Sequence, residues 1–224
     1  NSPPHHKPTN LAGSEKADSI TSLTICSNKK FIAVAERSDH AQVFIYNTRT
    51  LRKFKNLHHD KLSCKEVVAM NFSQDNSLLI TMGSPPDWTA TIWNWNKAKI
   101  LTQVQVSESS PVSHVSFSPV DAGIVCASGQ NLFKFYRVTD NEMRPMPSSS
   151  LEGVNVISHI WLNQPDDHLV LGTDDGDLII YNRSDLICHL DESPKKGKTK
   201  SLLSQNVDTG DGPASGNVIE EVSE

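Results

Sequence analysis

The chain has 224 residues, 37% of them hydrophobic and 6% aromatic, and a formal net charge of −5 at pH 7. Such a balance suits a soluble globular body and gives no general attraction to nucleic acid or to anionic membranes, so neither is expected as a partner. No stretch approaches the roughly 20 apolar residues of a membrane span, and the polar residues 1–19 hold no signal-peptide core, which points to an intracellular, cytoplasmic protein.

Residues 1–19 are rich in Pro, His, Ser and Lys without periodicity and read as a linker or the frayed end of a partial blade. A first unit follows over 20–57, with strands expected at 22–26, 31–36, 42–46 and 51–55 and polar turns between them. The second unit, 67–106, has strands at 67–72, 78–83 and 89–93. Its Ser73-Gln74-Asp75-Asn76 makes a turn because Asp and Asn bond back to the chain and tolerate left-handed φ. The third unit, 112–146, contains 124–128 and 132–137. The fourth, 156–190, has 157–162, 169–173 and 177–181, the last two joined by Asp174-Asp175-Gly176, a hairpin signal. Periodicity stops after Leu190, and 191–224, first basic and then acidic, reads as a disordered tail or an insertion between blades.

These units repeat one another. Residues 20–47 lie on 67–94 at an offset of 47, and 114–137 lie on 159–182 at 45. The alignment puts Ile25, Phe72, Phe117 and Leu162 at the end of one strand and Tyr46, Trp93, Tyr136 and Tyr181 at the end of another. Four-stranded units of this length with an aromatic closing the third strand are WD40-type propeller blades, so the expected class is all-β. Four blades are fewer than the usual seven, and the chain begins with Asn, so it is read as a piece of a longer polypeptide.

Nothing in the chain points to chemistry, and no catalytic, metal-binding or cofactor-binding residue is expected. Cys26, Cys64, Cys126 and Cys188 lack metal or redox spacing and read as buried or incidental thiols. Gly197-Lys198-Thr199 has Glu192 where a phosphate-binding loop needs Gly. Asp174, Asp175 and Asp177 lack the spacing of a calcium loop. His5-His6 and His58-His59 are adjacent and point to opposite faces, while His114 and His159 fall at equivalent repeat positions. Arg37, Arg49, Arg52, Arg137, Arg144 and Arg183 are scattered over turns and strand ends rather than ringing a channel. The segment Pro85-Pro86-Asp87-Trp88, after Ser84, is the candidate partner-binding loop: a Pro-bent turn ending in a rigid aromatic anchor, unless Trp88 folds back onto its own blade.

Gly13-Ser14-Glu15-Lys16, residues 31–36 (FIAVAE), Ser84-Pro85-Pro86, residues 115–119 (VSFSP), and Leu171-Gly172-Thr173-Asp174 with Gly176, in this order, resemble the N-terminal WD-repeat region of the cilia- and flagella-associated protein 57 family. The related 43 and 44 types are similar to the second unit around Asp87-Trp88 and residues 91–95. The resemblance implies a non-enzymatic axonemal scaffold, with propellers followed by a coiled coil, whose partners are inner-arm dynein and doublet-associated proteins. The alternative within the same fold is an adaptor that reads peptides or substrates for a signalling or ubiquitin-ligase complex, which needs Arg and Lys around the channel. Only Trp93 keeps the WD-repeat Trp, and the Asp-His-Ser-Trp network of strict repeats cannot be assembled in full.

Overall fold

Short apolar runs, buried on both faces in the middle blades, are the cause of the architecture. The structure, a computed structural model, describes residues 17–58, 64–86, 88–148, 151, 153–162 and 167–190. The expectations for 1–16, Asp87 and 191–224 lie outside the described residues.

The first blade comprises β1 (Ser19–Ile25), β2 (Phe31–Arg37), β3 (Gln42–Asn47) and β4 (Lys53–Leu57). The second has β5 (Val67–Phe72), β6 (Leu79–Gly83), β7 (Thr89–Asn94) and β8 (Lys99–Gln105), with a 3-10 turn at Trp95–Lys97. The third has β9 (Val112–Phe117), β10 (Ile124–Gly129), β11 (Leu132–Thr139) and β12 (Glu142–Pro145). The fourth has β13 (Val156–Leu162), β14 (His168–Thr173), β15 (Leu178–Asn182) and β16 (Asp185–Leu190). Each blade is an antiparallel meander in sequence order. The second strands of the two middle blades, β6 and β10, are buried at every residue, because a sheet stacked between two others has no wet face.

Side chains of one parity face the preceding blade and those of the other parity the following one. At the first junction Ala33, Ala35, Val43 and Ile45 meet Met70, Phe72, Leu79 and Trp93. At the second, Ile80, Met82 and Ile92 meet Val115, Phe117, Val125 and Tyr136. At the third, Cys126, Phe133 and Phe135 meet Leu169, Leu171, Ile179 and Tyr181. Trp93, Tyr136 and Tyr181 thus stand at matching places of their third strands and face the blade before them. Tyr46 holds that place in the first blade, beside Val34 and Phe44.

One position departs from the expected alignment. Tyr181 pairs across β14 with Leu169 and on to Trp161, whereas Leu162 pairs with His168 on the opposite face. Trp161, not Leu162, therefore stands where Ile25, Phe72 and Phe117 stand. The cause is turn length: Gln130-Asn131 joins β10 to β11, but Asp174-Asp175-Gly176 sits inside the Thr173 to Asp177 closure of the next hairpin. One extra residue makes the offset 44 before that hairpin and 45 after it.

Side-chain bonds stitch the first strands of neighbouring blades. Thr21 Oγ1 donates to the Val67 carbonyl at 2.8 Å, and the Phe117 N–H donates to Asn71 Oδ1 at 3.0 Å. At one end of the strands Ser27 Oγ donates to the Gln74 carbonyl at 2.7 Å and Ser118 Oγ to Asp167 Oδ1 at 2.8 Å. Of the strict WD-repeat network, Trp93 Nε1–H donating to Thr81 Oγ1 at 3.0 Å is present, with Thr81 buried.

Candidate functional site

The predicted contact loop divides in two. Pro85 and Pro86 are exposed, and Asp87 lies outside the described residues. Trp88 is only 8% exposed and packs in the second junction with Ile80, Met82, Ala90 and Val106. Its carbonyl accepts from the Val106 N–H at 3.0 Å. A short strand connection returns the indole to the apolar junction rather than to water, so the anchor reading of Trp88 is corrected in favour of the fold-back alternative.

A groove of about 310 Å³ runs along the innermost strands, lined among others by Ser22, Asn71, Ser113, His114, Ser116 and His159. No Lys or Arg lines it. His159 Nε2 is 2.6 Å from Ser116 Oγ, its Nδ1 is 2.7 Å from Ser128 Oγ, and Trp161 Nε1–H donates to Ser116 Oγ at 2.8 Å. With the Trp161 proton on Ser116, the set is satisfied by Ser116 donating to Nε2 and Nδ1–H donating to Ser128. Burial, and then the neighbouring His114, push the His159 pKa down to about 3, and burial also lowers that of His114. His114 Nδ1 is buried without a hydrogen-bond partner among the described residues.

The pair corrects a second expectation. His159 pairs with Leu171 on the face toward the third blade, whereas His114 pairs with Ser128 on the face toward the fourth. They are not equivalent repeat positions but opposed ones. Ser116 beside His159 has the outline of a nucleophile and base, yet an imidazole held neutral that far below neutral pH is a feeble base, and a serine rather than a carboxylate orients it. What the arrangement does is join two blades.

Several of the remaining residues singled out from sequence have local partners. Cys26, Cys64 and Cys126 are buried and Cys188 half-buried, and burial drives the Cys126 thiol pKa well up. The Asp174 to Asp177 stretch is a hairpin with Gly176 at positive φ. No group of three or more metal-ligating side chains occurs among the described residues. Arg37, Arg137 and Arg144 pair with Glu66, Asp121 and Glu142.

Comparison with known proteins agrees with this architecture. The chain is similar to cilia- and flagella-associated protein 57 of Mus musculus, 30% identical over 179 residues that make up 78% of this chain and 14% of that protein. To cilia- and flagella-associated protein 44 of Mus musculus it is 25% identical over 175 residues, 76% of this chain and 9% of that protein. The chain therefore spans only a small part of the curated relatives it matches. The resemblance to the protein 57 family read from its motifs is found again here over most of the chain. Among solved structures, the β-propeller domain of Cps50 (Swd1) from Myceliophteria thermophila superposes with a TM-score of 0.66 at 16% identity, over 82% of this chain and 57% of that one. That likeness shows the fold, a WD40-type β-propeller. No protein-family model matches the chain.

Proposed function

We propose that this chain is part of a non-enzymatic scaffold of the ciliary or flagellar axoneme, docking other axonemal proteins and helping to place inner-arm dyneins on the doublet microtubules. The observation that carries the reading is the likeness to cilia- and flagella-associated proteins over about three quarters of the chain. Stacked blades with dry junctions make a stiff platform, and a stiff platform loses little entropy when its loops engage a partner. Pro85 and Pro86 are the exposed part of the predicted contact loop. The adaptor alternative gains nothing from the groove, whose lining carries no cation.

The test is made in ciliated cells with the tagged full-length protein. Retention on isolated axonemes, and loss of inner-arm dynein from axonemes when the gene is deleted, are the expected results. Absence of the protein from axonemes overturns the ciliary reading, and unchanged inner-arm dynein overturns the narrower one.

A further inference from the structure

The cations of the first two blades are gathered at one end. Strand order places the β1–β2, β3–β4, β5–β6 and β7–β8 turns together, at the end opposite the loop that carries Pro85 and Pro86. Lys29, Lys30, Arg49, Arg52, Lys97 and Lys99 are on or beside these turns, and all six are exposed. The turns touch one another. Thr48 binds the carbonyls of Lys29 and Lys30, Ser27 reaches Gln74 and Asn76, and Trp95 Nε1–H donates to the Asn76 carbonyl.

Asp75 is the sole carboxylate on these four turns, and it is occupied by Ser73 and Ser77. None of the six cations has an ion-pair partner among the described residues. In a chain of net charge −5 this end stands out. The corresponding turns of the third and fourth blades mix Asp121, Asp140 and Asp167 with Arg183.

Two apolar side chains sit among the cations. Leu51, 44% exposed, is held at φ 54 between Arg49 and Arg52, where a branched residue is disfavoured. Phe54, 47% exposed, leans on Phe31 and Trp95. Cations around exposed apolar groups match a polypeptide that carries both carboxylates and apolar side chains, whereas a phosphate backbone has nothing to offer Leu51.

We infer that this end of the first two blades is a docking surface for an acidic polypeptide segment with interspersed apolar residues. The inference goes beyond the scaffold reading and stands or falls on binding in vitro, so its failure is distinct from failure of the ciliary assignment, which is read in cells.

The test is fluorescence-anisotropy titration of the full-length protein with a labelled Glu-rich peptide containing Leu, in parallel with an all-Glu peptide, single-stranded RNA of equal charge and phosphatidylserine vesicles. The Leu-containing peptide is expected to bind most tightly, with affinity that falls as salt is raised. Combined Lys30→Gln, Arg49→Gln, Arg52→Gln, Lys97→Gln and Lys99→Gln should weaken it at least about tenfold, given roughly two-fold or more for each exposed charge pair lost. Lys65→Gln with Arg144→Gln should not. If the fivefold variant fails to fold by circular dichroism, Arg49→Gln with Arg52→Gln is measured instead, with a several-fold loss expected. Unchanged peptide binding in a folded variant, or tighter binding of RNA or vesicles than of the peptide, overturns the inference.

Discussion

His114 and His159 face each other across the third junction with their ring centroids 5.6 Å apart. Both have lowered pKa values, so the folded state holds fewer protons than the unfolded chain, where histidine titrates near 6.5. The sign follows: stability is fully present above about pH 6.5 and is lost as the pH falls from there toward 3, at up to about 1.4 kcal/mol per pH unit for one group. His159→Met, which copies Met70 at the matching place in the second blade, should flatten the upper part of that decline. Since it strands Ser116 and Ser128, it should also cost about 1–3 kcal/mol at neutral pH. Urea unfolding at pH 7.5, 6.5, 5.5 and 4.5 measures both effects; an unaltered slope in the variant would show that another group sets it.

Gly129 is the last residue and Gly172 the penultimate residue of the second strand of its blade, but the two should respond oppositely to alanine. A Cβ on Gly129 would lie 2.1 Å from the Pro111 carbonyl oxygen and 2.9 Å from Val112 Cα, both backbone atoms that cannot turn aside. Gly129→Ala is expected to cost more than about 2 kcal/mol. At Gly172 the nearest atom is Ser158 Oγ at 3.8 Å, and Gly172→Ala should be neutral or stabilise by up to about 1 kcal/mol. Thermal melts of the two variants beside the parent decide the matter.

Trp88→Ala should act on folding. Removing a large side chain from the second junction is expected to cost about 3–5 kcal/mol. Denaturant unfolding checks this, and a loss below about 1 kcal/mol would return Trp88 to the role of a surface anchor.

The two end faces carry apolar groups that the described residues leave bare. Leu23 is 65% exposed on the first blade, and Ile160 is 64% exposed on the fourth, where Leu162, Leu178 and Leu190 share its face. The 224-residue chain is therefore expected to associate at micromolar concentration, and Ile160→Lys with Leu178→Lys to reduce that association. Sizing with light scattering tests it. A sharp monomer peak for the parent, with cooperative melting, would contradict the expectation.

The sequence made the blades legible because a strand buried on both faces writes itself as an apolar run, and Tyr46, Trp93, Tyr136 and Tyr181 recur at its partner. It was less informative wherever turn length mattered. Leu162 and the two histidines were misplaced by the single residue added at Asp174-Asp175-Gly176, because a gap-free alignment carries a later shift back into earlier strands. Trp88 was ambiguous since nothing local states whether an aromatic beside two prolines turns inward. The cations were invisible as a group: Arg49 and Lys97 are 48 residues apart, and only strand order brings their turns to one end.

The unequal hairpins have a consequence for how such a blade changes over time. Adding one residue at a turn lengthens the loop while every strand pair and every junction contact stays where it was. Selection on packing therefore does not see the insertion, and blade length is free to drift. Substitutions inside the middle strands have less such freedom, because β6 and β10 are buried at every residue. Divergence of this architecture should accordingly accumulate first as altered spacing between blades, and only afterwards as altered composition within them.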